Sequence, residues 1–176
     1  MYRPPCHRFD DRDAQFDLIE RHPLGSCIFR AAGGLEALHR PFRLDRSAAA
    51  DGALIARIQP DDAEARAVPA GTPVLVVFHG PQVYITPGWY PGKAAHGRVV
   101  PTWNYAVVHV HGILRWTHDR AGIEIPIHRL DGKLKASQDE DRPDREGTVK
   151  GLDALGTDTA RTMAVLVQQA LDATPD

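Results

Sequence analysis

The chain has 176 residues, enough for one domain with a real core and too few for two comfortable ones. Its net charge of −2 gives no overall footprint for nucleic-acid phosphates, and its run of Arg40, Arg43 and Arg46 is interrupted by Asp45 and followed by Asp51, the pattern of a solvated face. Only Cys6 and Cys27 are present, in no metal-ligand spacing, and no apolar run approaches the roughly 18 residues that span a bilayer, so a cytoplasmic protein with no membrane role is expected.

Fourteen prolines and fifteen glycines favour short strands and turns over long helices. Asp11 to Arg21 suits a short helix with an acidic first turn, ended by His22-Pro23. Ser26–Arg30 reads as a strand, Ala31–Gly34 as a hairpin turn, and Leu35–Leu44 as the partner strand. A loop from Asp45 to Gly52 leads to a third strand, Ala53–Ile58, and then to an acidic turn or short helix from Asp61 to Arg66. Pro73–Phe78 is a nearly continuous apolar run, read as a central strand, and Val83–Thr86 as another. Ala106–Trp116 is the longest strand, with Val108, Val110, Gly112 and Leu114 on one face and His109, His111 and Ile113 on the other. Ile123–Leu130 is the last clear strand. After Lys133 the sequence is charged to Arg145, and Thr157–Ala173 has the spacing of an amphipathic helix. The expected fold is mainly β with peripheral helices, a closed or split barrel of six or more antiparallel strands of Greek-key type. Residues 1–156 would form the barrel and 157–176 a helix packing on it or on a partner.

Two segments carry ligand chemistry. Val100–Tyr105 puts an indole, an amide and a hydroxyl close together before a strand, and Phe78–Tyr90 ends in Trp89 with Lys93 just beyond. Both suit a flat polar ligand. His109 and His111, two apart on a strand, share a face and could ligate a metal or haem iron, with His39, His79 or His128 completing a set. They stand in no recognisable ligand motif, and no metal site is assigned. No nucleophile–base motif or phosphate-cradling glycine loop is present.

Several segments, in order, carry a resemblance: Met1-Tyr2-x-Pro4, His22–Gly25, Gly34–Pro41, Ala56–Pro60, Phe78–Pro81, Thr86–Tyr90, Val100–Tyr105 and Gly132–Gln138. Through them the chain resembles the PaiB family, described as FMN-binding negative transcriptional regulators, with the split β-barrel of the pyridoxamine-phosphate-oxidase-like flavoproteins. The resemblance implies FMN as cofactor, a homodimer with the ligand in an interface pocket, and a role as transcriptional regulator or flavin-dependent redox protein. If the protein is an enzyme, it is an FMN-dependent oxidoreductase. It implies Arg57 and Lys93 as phosphate contacts, Thr102, Asn104, Ser137 and Gln138 as hydrogen-bonding groups, and Trp89 and Trp103 as ring covers. His39 and Lys135 complete the expected cofactor set. For Arg57 the structural alternative is an ion pair with Asp61 or Asp62; for Ser137-Gln138 it is turn capping.

The chain also departs from the family pattern. Ala53-Leu54 replaces a Gly-His pair, Leu38-His39-Arg40-Pro41 a Thr-His-Leu-Pro, and Asp139-Glu140 an Asn-Arg. A helical segment of several dozen residues between Trp116–Asp119 and Ile123 is reduced to a turn, and the C-terminal helix is read as an addition that replaces it. The alternative reading is a divergent member that has lost FMN and acts as a cofactor-independent or haem-binding enzyme. DNA contact is implied by the family description but unsupported by charge.

Overall fold

The computed structural model describes residues 1–48 and 50–173; Ala49 of the expected Asp45–Gly52 loop and the last three residues of the expected 157–176 segment lie outside them. Among the described residues eight strands hydrogen-bond in the order β2-β1-β5-β6-β8-β4-β3, with β7 on β8. They are β1 (Leu24–Ala31), β2 (Gly34–Pro41), β3 (Arg43–Asp45), β4 (Ala53–Arg57), β5 (Pro73–Ile85), β6 (Thr102–Ile113), β7 (Arg115–Trp116) and β8 (Gly122–Lys135). The registered pairs β1–β2, β1–β5, β3–β4, β4–β8 and β7–β8 are antiparallel. The helices are α1 (Arg12–Arg21), α2 (Ala63–Arg66), α3 (Gly92–His96), α4 (Arg142–Leu155) and α5 (Asp158–Asp172). The mainly β architecture is the one expected.

The chain divides into two compact units. Unit 1 comprises Met1–Phe9, Pro81–Ala106 and the described residues from Lys133 onward; unit 2 comprises Asp10–Gly80 and Val107–Gly132. β5, β6 and β8 each contribute residues to both units.

Unit 2 is built on strand alternation. Val108, Val110 and Leu114 are buried on one face of the β6 strand and its extension, while His109, His111 and Ile113 are only half-buried. Ala53 and Leu54 are completely buried with Cys27, Val76, Phe78 and Ile125 and belong to the core. Burial alone drives the Cys27 thiol up to about 11, so it stays a neutral, inert packing group. Gly25 is required by close packing: a Cβ there would lie 2.7–2.9 Å from Val76, Phe78 and Phe42, whose rings meet edge to face. Asp11 caps α1 by accepting from the Ala14 N–H at 2.9 Å, and the helix buries Phe16, Leu18 and Ile19.

Unit 1 has a helical core. Met163, Ala164 and Val167 of α5 pack with Leu152 of α4, Ile85 of β5, Tyr90 and Ala136. Thr157 caps α5 through the Ala160 N–H, and Gly156 closes α4 in the left-handed conformation at φ 70°. α4 falls within a stretch read only as charged. Its packing face uses Gly147 and Gly151, at either of which a Cβ would strike Trp89.

Candidate functional site

Of the ten expected cofactor residues, all but His39 and Arg57 belong to unit 1. Their surroundings divide them by role. Asn104 lies on the same alternation of β6 as Ala106 and is completely buried. Its Nδ2 donates to Ser137 Oγ at 2.9 Å, while its Oδ1 has no partner. Ser137, also completely buried, holds φ 59°, a left-handed conformation uncommon outside glycine and worth reading as a shaped turn. Gln138 clamps the same turn from outside: its Oε1 accepts from the Ala136 N–H at 2.6 Å and its Nε2 donates to the Leu134 carbonyl at 2.9 Å. Turn capping is thus where the Gln138 amide is spent.

The opposite alternation of β6 faces outward. Trp103 is 52% exposed and meets Tyr84 edge to face with ring centroids 6.1 Å apart. Tyr105, two residues on, lies beneath the Lys133 ammonium at 5.3 Å, which also stands 5.7 Å from the Tyr2 ring. Thr102 is half-buried and Lys93 exposed. Trp89 instead lies on α4 against Gly147 and Gly151, partly buried beside the unit 1 core. Reading from sequence found Trp103 and missed Tyr84, Tyr105, Lys133 and Tyr2, although the two-residue spacing of Trp103 and Tyr105 on a strand already puts them on one face.

Charge in this unit is locally balanced. Asp139, which replaces a family asparagine, lies 3.4 Å from Lys135 and 3.5 Å from His7. Burial opposes its ionisation, but backbone hydrogen bonding, Lys135 and His7 together hold its carboxyl below the usual range. Glu140 is pushed the other way, by burial and then by Asp139 and Asp144. Burial raises the Tyr90 hydroxyl to about 12. That hydroxyl is buried without a hydrogen-bond partner, as are both His7 ring nitrogens and Nε and Nη2 of Arg145; the His7–Asp139 approach lacks hydrogen-bond geometry. Among the described residues every such orphaned side-chain atom belongs to unit 1. An orphaned buried polar group costs about 1–3 kcal/mol.

In unit 2, His39 Nδ1 lies 3.0 Å from Ser26 Oγ. Asp62, offered by sequence as a partner for Arg57, pairs with Arg40 instead. His111 Nε2 is engaged by Arg129 at 2.9 Å and Asp131 at 3.3 Å, and burial first, then Arg129, lowers its pKa. Burial, foremost, likewise lowers the pKa of His109. Among the described residues no group of three or more His, Cys, Asp or Glu side chains could hold one metal ion, and no helix is long and apolar enough to cross a membrane.

A family model described as "Putative FMN-binding domain" matches residues 1–166. The chain belongs to that family. The match runs into α5, so this helix is part of the FMN-binding-domain pattern and not the addition expected from sequence. An uncharacterized protein of Emericella nidulans is 28% identical, covering 96% of this chain and 97% of its own. The protease synthase and sporulation protein PAI 2 of Bacillus subtilis is 27% identical over 64% of this chain and 51% of its own. A solved structure titled as the FAD and heme binding protein from Mycobacterium smegmatis superposes with a TM-score of 0.51 at 14% identity, covering 73% of each chain. Sequence and architecture therefore agree on a PaiB-like split-barrel fold, and membership of the FMN-binding-domain family supports a flavin cofactor. Unit 1 fits one: it joins an exposed aromatic face to buried polar groups in need of partners.

Proposed function

We propose that the protein binds FMN on unit 1 and works as a flavin-dependent redox protein. The observation that carries this reading is the coincidence, within one unit of an FMN-binding-domain family member, of the exposed Trp103 face and the orphaned polar atoms. Trp103, braced by Tyr84, covers one face of the ring. Lys93 and Thr102 supply a cation and a hydroxyl for the phosphate and its chain. Asn104 and Ser137 are positioning residues, since both are fully enclosed; they fix the 136–140 turn from within while Gln138 fixes it from outside. Asp139 and Glu140 do not oppose an anion as two free charges would, because Lys135 pairs with the first and burial discourages ionisation of the second. Bound there, FMN would supply electron transfer through its ring system. The chain would orient the ring and screen one side from water.

The reading includes a homodimer with the ligand in an interface pocket, supported by the apolar surface that Tyr2, Val100 and Trp103 leave exposed on unit 1. A regulatory role through DNA rests on the PaiB resemblance alone, against a net charge of −2. Titration of the purified protein with FMN, followed in the visible flavin band, tests the proposal. A saturable change at one FMN per chain, with the bound flavin reduced by a nicotinamide donor, is expected. Absence of binding would refute it, and binding without reduction by any donor would refute the redox assignment.

A further inference from the structure

We infer a second ligand site in unit 2: Arg57, Arg66 and Arg120 form a pocket for a phosphate dianion, as inorganic phosphate or a small phosphomonoester, separate from the flavin. The three arginines line one cavity of about 360 Å³ together with Gln59, Ala121 and a single carboxylate, Asp119. That carboxylate is already committed, accepting from Thr117 Oγ1 at 2.7 Å and from the Ala121 N–H at 3.0 Å. Those bonds fix it in the turn and favour its ionised form, so its one negative charge offsets part, and not all, of the charge of three arginines. Elsewhere in unit 2, Arg12, Arg40, Arg43, Arg46 and Arg129 each have a carboxylate partner. Arg57, Arg66 and Arg120 have none among the described residues, and neither do Arg21, Arg30 and Arg115, but only the first three line one cavity.

Two of the three guanidinium groups are held in place by uncharged partners. Arg66 Nε donates to the Gln59 carbonyl at 3.2 Å, which leaves its terminal nitrogens available. Arg120 lies over the Trp116 ring at 4.8 Å, and that indole is fixed by donating to the Val68 carbonyl at 3.0 Å. Three cations against one carboxylate leave an excess of positive charge in the cavity, and a multiply charged oxyanion that takes paired N–H donors relieves the repulsion. The backbone adds an argument. Arg120 holds φ 53°, a conformation that asparagine or glycine would adopt more readily, in the turn Thr117–Ala121. A strained turn that keeps an arginine over this pocket is a geometry to test for ligand binding.

The test is calorimetric titration of the full chain with inorganic phosphate in low-salt buffer, repeated with FMN at saturation. Saturable binding of one phosphate per chain is expected, weakened roughly tenfold or more by Arg57→Gln and by Arg66→Gln. Arg120→Gly should weaken it similarly while suiting the left-handed turn, which separates lost binding from lost folding. Arg115→Gln, an arginine outside the pocket, should change nothing. The inference is overturned if phosphate up to about 10 mM gives no saturable heat. It is overturned equally if the pocket variants bind like the parent, or if FMN displaces the phosphate. Because the phosphate titration without FMN stands on its own, failure of the flavin reading leaves this result intact.

Discussion

Unit 2 and unit 1 handle polarity in opposite ways. Unit 2 closes over apolar side chains, Leu54, Val76, Phe78, Val108 and Ile125, and ties Arg12, Arg40, Arg43, Arg46 and Arg129 to acids. Unit 1 encloses Asn104, Ser137, Tyr90 and Arg145, leaves several of their atoms unpartnered, and turns Trp103 and Tyr84 outward. A fold maximising its own stability would spread such deficits or remove them; here they are collected in one unit. On the proposed reading, unit 2 is the scaffold and unit 1 the flavin-binding end, with the arginine pocket as a separate site in unit 2.

The contrast can be broken by substitution. Leu54→Ala should have the largest effect, a loss of about 3–4 kcal/mol in unfolding free energy by denaturant titration with little change in FMN affinity after correction for folded fraction. Retained stability would mean that Leu54 is not core. Gly151→Ala comes next: the added methyl meets the Trp89 indole, and a loss of about 2–3 kcal/mol is expected, whereas Gly33→Ala, with open space around it, should be nearly neutral. Equal melting temperatures for the two variants would contradict the packing of Trp89 on α4. Tyr90→Phe removes an orphaned hydroxyl and should raise stability by up to about 1 kcal/mol; a clear loss would show that the hydroxyl is satisfied. The smallest effect is in pH dependence. Glu140 has a carboxyl raised on folding, so the folded state holds its proton more tightly, and the stability it confers at low pH fades as pH rises through the ordinary carboxylate range to its raised value. Glu140→Gln should therefore gain stability relative to the parent as pH climbs from 4 to 7. Asp139, with its carboxyl depressed, has the reverse dependence in a lower window: its contribution is complete above the ordinary carboxylate range and is lost as pH falls through it, so Asp139→Asn should lose relative stability as pH rises from about 2 to about 4.5.

Much of unit 2 was readable because a two-residue alternation reports directly on burial: β6, β4 and the hairpin at Ala31–Gly34 follow the expected pattern. α5 was readable from its apolar spacing. α4 was not, because its contacts with Trp89 are made by glycines, which carry no hydrophobic signal. The continuation of β5 through His79-Gly80-Pro81-Gln82 was hidden by turn-forming residues. At the proposed site, motif resemblance pointed to these loops but could not tell a side chain facing outward, Trp103, from one turned inward, Asn104, or from one used up on its own turn, Gln138. That distinction depends on strand phase and hydrogen-bond partners, which residue type alone does not fix.

The assignment of flavin binding to unit 1 is tested most directly by comparing FMN dissociation constants across paired variants. Lys93→Ala and Trp103→Ala in unit 1 should each weaken binding by about tenfold or more, while His39→Ala and Arg57→Gln in unit 2 leave it within about twofold of the parent. Undiminished binding in the unit 1 variants, with loss in the unit 2 pair, would contradict it.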